Sequence, residues 1–211
     1  FLPEIEKVQY EFLFKAVPMI FDLLTGYVLF SIVKYLIDIT GYHRDHEKSN
    51  FLPVFCAGIY LFSPFTFFNS AIWGQADSVF TFFLALSFFY LTKKQFILAC
   101  VMFVIATIIK PQAAIVAPVY LVYLFKNGSF ELFAKSFFAS VFTFYALVGP
   151  FWGISSLQKL FTQLQSSVNT YPYSSINTFN LWGINGFWKS DTEIILNNLS
   201  SQQIGSLLFA V

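Results

Sequence analysis

The stretch FLPVFCAGIYLFSPFTFFNSAIWGQADSVFTFFLALSFFYLTKK, residues 51–94, decides the fold. From Phe51 to Thr92 its only charge is Asp77, and it closes on Lys93-Lys94. Phe51–Phe68 is 18 residues without a charge, just enough helix to cross a bilayer. The rest of the chain repeats the pattern of apolar runs between polar turns. Of 211 residues, 23 are charged (12 Lys+Arg and 11 Asp+Glu), or 11%, against about 25% in a soluble domain. Hydrophobic residues make up 57%, phenylalanine alone numbers 30, and mean hydropathy is +0.66. So few charges cannot cover a soluble surface, which excludes ordinary cytosolic, coiled-coil and disordered proteins. A net charge of +1 gives no electrostatic reason for a nucleic-acid partner. Cys56 and Cys100 lie in apolar runs and form no disulfide or metal pattern. The expectation is an all-α, polytopic transmembrane helix bundle in contact with membrane lipids.

Six apolar spans are expected, over residues 12–39, 51–68, 78–92, 95–109, 113–125 and 130–150, with the start of a seventh in Ile204–Val211. The chain opens without Met or a signal-peptide layout and stops inside an apolar run, which reads as a fragment of a longer protein. All of 1–211 is expected to be one transmembrane domain, with 151–203 an extracytoplasmic loop rich in Ser, Asn, Thr, Tyr and Trp. The polar segment Gly41–Asn50 marks the inner side by the positive-inside rule. Seven basic residues (Lys34, Arg44, Lys48, Lys93, Lys94, Lys126, Lys135) then fall inside in short loops. Five (Lys7, Lys15, Lys110, Lys159, Lys189) fall outside along longer segments.

Spans 78–92, 95–109 and 113–125 hold only 13 to 15 residues. At ~1.5 Å per residue they reach about 20 Å, short of a ~30 Å hydrocarbon core. Their outer ends must sit below the interface, where irregular backbone is tolerated only against protein or water. The two outward turns, Asn69–Asp77 (NSAIWGQAD) and Lys110-Pro111-Gln112, are expected to line one outward-facing cavity.

Three motifs carry candidate chemistry. In Trp73-Gly74-Gln75-Ala76-Asp77-Ser78, Asp77 stands at a helix start, where the helix dipole favours its charge. Gln75 both donates and accepts, and Trp73 offers an apolar plate. The structural alternative is a helix cap by Asp77 or Ser78. In the second motif Pro111 divides two helices, and Lys110 stands outside against the charge bias, where a cation suits phosphate; the alternative is a snorkelling lysine. In the third, Tyr171, Tyr173, Asn177, Asn180 and Trp182 combine aromatic faces with amides. Lys15 and Asp22 lie two helical turns apart on one face. They either pair with each other or help to build the outer site. No phosphate loop, nucleophile elbow or helix-borne zinc motif is present, and no metal site is expected.

These motifs in this order resemble the GT-C superfamily of polytopic glycosyltransferases, specifically the bacterial relatives of the glycosylphosphatidylinositol (GPI) mannosyltransferases. Lys15, Pro18 and Asp22 fit the same pattern, and the resemblance covers roughly residues 12–190. It implies an inverting membrane glycosyltransferase. Such an enzyme moves mannose or another hexose from a polyprenyl-phosphate sugar to an extracytoplasmic or lumenal glycan or lipid acceptor. The principal catalytic carboxylate would lie upstream of Phe1, with Asp77 as a fallback or acceptor-orienting group. Trp73, Gln75, Lys110, Gln112, Tyr171, Tyr173, Asn177, Asn180, Trp182, Asp22 and Lys15 would hold substrate. The donor is the only small molecule implied, with no bound cofactor and no stated metal need. A bacterial cytoplasmic membrane is favoured over the endoplasmic reticulum. The rivals are a secondary transporter or lipid flippase with broken helices, and a non-catalytic membrane subunit.

Overall fold

A computed structural model describes residues 4–41, 46–168, 170, 172–175, 181–196 and 198–210. The fold is mostly helical. The chain divides into two compact units, Phe1–Pro150 and Phe151–Val211.

The first unit opens with α1 (Glu4–Thr40), which runs through Pro18. After Gly41, α2 (His46–Leu61) leads through Ser63 into α3 (Pro64–Phe67) and a π-helical turn, Phe68–Trp73. Gly74 ends that turn at φ +76° and donates its N–H to the Asn69 carbonyl. A left-handed backbone there is cheap for glycine and costly for other residues. Then come α4 (Asp77–Thr92), α5 (Phe96–Ile109), a 3-10 segment (Pro111–Val116), α6 (Ala117–Asn127) and α7 (Phe130–Trp152).

The turn between α4 and α5 is three residues, Lys93-Lys94-Gln95, with Lys94 left-handed at φ +59°. The Lys94 and Gln95 amides donate back to the carbonyls of Leu91 and Tyr90. So tight a reversal makes α4 and α5 antiparallel, which sets the start of α4 beside the end of α5. At Lys110 the backbone is extended (φ −144°, ψ 109°), and Pro111 cannot continue the ladder. The chain reverses again. Phe103 stacks on Tyr120 at 4.6 Å and Phe96 meets Tyr123 at 5.7 Å, the order of an antiparallel pair. The stretch 95–125 is thus two helices and not one kinked rod.

Burial is arranged as in a membrane protein. Phe14, Phe62, Phe65 and Phe142 are 75–88% exposed. Asp22, Thr25, Ser70, Ser78, Ser87 and Ser136 are buried instead. Water would penalise that distribution, whereas lipid favours it. Small residues let the helices approach. Ala99 and Ala106 are fully enclosed, and a Cβ on Gly26 would come within 2.9 Å of Leu61. The core joins Leu91, Phe96, Ala99, Cys100, Tyr120 and Leu124, with Leu132 and Phe133 of α7 against it. Inside it the Tyr120 hydroxyl donates to Ser87 Oγ at 2.7 Å, and Ser87 donates to the Ala99 carbonyl.

The span count changes. Among the described residues, two helical stretches are long and apolar enough to cross, Tyr10–Thr40 and Phe130–Ser167. A third is available if the pair Phe51–Leu61 and Pro64–Trp73, bent by 44°, counts as one. Six spans are not confirmed: α4 (16 residues), α5 (14) and α6 (11) are shorter than an ordinary spanning helix, in line with the short lengths expected for them. The break expected near 113 arrives as a full 3-10 segment that takes four residues from the expected fifth span.

The second unit holds a 3-10 turn (Gly153–Ser155), α8 (Ser156–Val168), another 3-10 turn (Leu181–Asn185), the antiparallel pair β1 (Ile194–Leu196) and β2 (Leu199–Ser200), and α9 (Ser201–Ala210). Within the stretch expected as an extracytoplasmic loop, 151–203, the described residues include these helical segments and the hairpin.

Candidate functional site

The antiparallel hairpin of α4 and α5 produces the central contact. Asp77 lies in the first turn of α4, and Lys110 follows the last residue of α5. They are 33 residues apart in sequence, and Lys110 Nζ donates to Asp77 Oδ1. Each side chain is about one-third exposed (32% and 33%), so the pair sits at an edge of the helix bundle. The ammonium also lies 5.4 Å from the Phe80 ring centroid. The helix cap is Ala76, without a side-chain cap bond. Asp77 is therefore not spent on capping; its carboxylate holds the lysine. Next to it Ser78 is buried, and its hydroxyl has no partner among the described residues.

Lys15 joins the same region from α1. A Cβ on Gly74 would meet Lys15 Cγ at 3.2 Å, so the lysine stem lies against the glycine. Above this contact is a cavity of about 350 Å3 lined by Tyr10, Glu11, Phe14, Lys15, Trp73 and Gly74. Trp73 is 67% exposed and Tyr10 64%. Phe68 braces Trp73 edge-on at 6.3 Å. Lys15 and Glu11 have no ion pair among the described residues, unlike Lys110. Gln75 is half-buried beyond Gly74, and Gln112 is exposed beyond Pro111.

Asp22 stands apart from this edge. It is buried, and its carboxylate accepts a 2.8 Å hydrogen bond from the Tyr60 hydroxyl of α2. It does not pair with Lys15. One turn on, Thr25 donates to the Phe21 carbonyl, and Phe21 packs on Phe82 and Phe83 of α4. Asp22 thus fastens α1 to α2.

Tyr173 and Trp182 belong to the second unit, where both line a separate cavity. Tyr171, Asn177 and Asn180 lie outside the described residues.

Several contributors escape sequence inspection. Tyr60 carries no motif. Tyr10, Glu11 and Phe14 precede or open the expected span at residue 12. The spacing of Tyr10 to Phe14 and of Glu11 to Lys15, i to i+4, is the signal that would have placed them on one helical face.

A family model described as GPI transamidase subunit PIG-U matches residues 1–178. The chain belongs to the PIG-U family. Neither a curated protein nor a solved structure matches it. The family places the chain among GPI-related integral membrane proteins, and it overturns the expectation of a glycosyltransferase. PIG-U is described as a subunit of a transamidase, not as a glycosyltransferase. The GT-C resemblance led to the neighbourhood of GPI proteins but not to the reaction. In the structure the fallback carboxylate, Asp77, and the cation expected to meet phosphate, Lys110, are bonded to each other. The bacterial membrane favoured from sequence has no support in the PIG-U match.

Proposed function

We propose that this chain is a non-catalytic membrane subunit of a GPI transamidase, seated in the endoplasmic reticulum membrane, that grips the headgroup of a glycosylated phospholipid at the edge formed by α1 and the Phe68–Trp73 turn. The observation that carries this reading is Lys15. It is a cation without an ion pair among the described residues, held by Gly74 at a cavity beside an exposed tryptophan. Lys15 takes the phosphate as a charge-assisted donor. Glu11 accepts from hydroxyls or an ammonium group, and Trp73 and Tyr10 present flat apolar faces to a sugar. The Asp77–Lys110 pair holds the start of α4 beside the end of α5, which fixes the backbone that carries Trp73 and Gly74. Gln75 and Gln112 supply polar contacts along the same edge.

The test uses the assembled complex. Lys15→Ala and Trp73→Ala are compared with wild type for capture of phosphatidylinositol-containing against phosphatidylcholine-only vesicles, and for surface display of a GPI-anchored reporter. Each variant is expected to lower capture about tenfold, worth ~1.4 kcal/mol, and to reduce display while the other subunits still co-purify. Wild-type capture by both variants would overturn the site. Loss of co-purification with capture unchanged would assign this edge to assembly.

A further inference from the structure

The second unit contains a cavity of about 420 Å3 lined by Tyr173, Trp182, Asp191, Ser201, Gln202 and Gly205, among others. That volume falls within the ~300–1,000 Å3 of small-molecule sites. We infer that this cavity binds a single hexopyranose ring, neutral or bearing an amine. The site is independent of Lys15.

Backbone hydrogen bonds tie the lining segments to one another. Asp191 donates its amide to the Pro172 carbonyl at 3.1 Å. Its own carbonyl accepts from the Gln202 amide at 3.0 Å and from the Ser201 hydroxyl at 3.1 Å. Those bonds tie the segment before β1 to the first turn of α9. On the other side, Tyr173 bridges to Ser190, and Ser174 donates to the Lys189 carbonyl at 2.9 Å. Trp188 sits at φ +62°, a left-handed backbone rarely taken by a large residue. Its amide is held by the Ser175 carbonyl at 2.9 Å, and its ring braces Tyr173 edge-on at 5.5 Å. Backbone strain of this kind persists only where surrounding bonds impose it.

The lining chemistry selects the ligand class. Tyr173 and Trp182 are aromatic plates for the apolar face of a ring. The Asp191 carboxylate has no side-chain partner among the described residues and can accept from two adjacent hydroxyls or one ammonium. Gln202 and Ser201 both donate and accept. Among the described lining residues Asp191 carries the one formal charge, which disfavours phosphate. Gly205 holds the space open: a Cβ there would be 3.7 Å from Trp182 Cζ2, so alanine fits and a longer side chain enters the cavity.

Saturation-transfer NMR on the full-length chain in detergent, with mannose, glucosamine and inorganic phosphate as probes, tests this. Both sugars are expected to bind in competition with each other, and phosphate to leave them bound. Gly205→Leu, which plugs the cavity, and Trp182→Ala, which removes a plate, should each weaken both sugars about tenfold or more. Circular dichroism should show unchanged helix content for Gly205→Leu. Asp191→Asn keeps hydroxyl contacts and loses the charge, so it should weaken glucosamine about tenfold and mannose far less. Absence of sugar binding to wild type, binding unchanged in both Gly205→Leu and Trp182→Ala, or displacement of mannose by phosphate would each overturn the inference. Because the readout is a free monosaccharide, a negative result leaves the Lys15 headgroup site untouched.

Discussion

At the scale of single residues, the Asp77–Lys110 contact separates what a charge does from what it is near. The pair is about one-third exposed, so its coupling should be modest, about 1 kcal/mol in a double-mutant cycle. Asp77→Ala and Lys110→Ala should each destabilise α4–α5, and the double variant should cost less than the sum; thermal unfolding in detergent measures all three. The reversed pair, Asp77→Lys with Lys110→Asp, should recover only part of the loss, because a cation at the start of α4 opposes the helix dipole. Equal stability of wild type and reversed pair would remove the dipole from the account. Both residues are conspicuous in the sequence as lone charges at the ends of apolar runs. That they bond to each other is not, since they are 33 positions apart with a chain reversal between them. The Asp22 partner was equally hidden. A phenol among many apolar residues gives no sign that it will face a carboxylate one helix away.

At the scale of elements, two interhelical hydrogen bonds, one partly buried and one buried, hold helices together, and each predicts an asymmetry. Tyr60→Phe strands the buried Asp22 carboxylate, whereas Asp22→Asn keeps an acceptor for the phenol. The first should cost about 1–3 kcal/mol and the second less, read as a larger fall in midpoint temperature for Tyr60→Phe. In the core, Ser87→Ala leaves the Tyr120 hydroxyl without its acceptor, while Tyr120→Phe leaves Ser87 still bonded to the Ala99 carbonyl. Ser87→Ala should therefore be the more damaging, by up to ~1 kcal/mol, given the small values measured for such bonds in membranes. A third prediction concerns packing: Gly26→Val drives a branched side chain into Leu61 and should cost about 1–3 kcal/mol. The starts and stops of α4 and α5 follow from Asp77, the lysine pair and Lys110-Pro111, and the structure places them within a residue of expectation. The bend at Ser63, the π turn and the 3-10 segment did not follow. They depend on which carbonyls find donors once the helices are packed.

At the scale of the whole molecule, the reversals at Lys94 and Lys110 predict a labelling pattern. In a Cys56→Ser, Cys100→Ser background, cysteines placed at Trp73 and Gln112 should react with a membrane-impermeant reagent from one side, and a cysteine at Lys94 from the other. Reaction of all three from one side would refute a hairpin that penetrates the bilayer. Composition and the rhythm of apolar runs alone established a helical membrane protein, because hydrocarbon admits few charges and requires backbone bonds to close within each helix. The same motifs suggested a family of sugar-transferring enzymes, and residue types could not correct that, since a tryptophan, an aspartate and a lysine serve binding as well as catalysis. That Asp77 pairs with Lys110, that Lys15 lies against Gly74 instead of Asp22, and that described residues after 151 line a cavity came from the tertiary structure. Those outcomes depend on distances between segments far apart in the chain, and such distances are set by packing, not by local sequence.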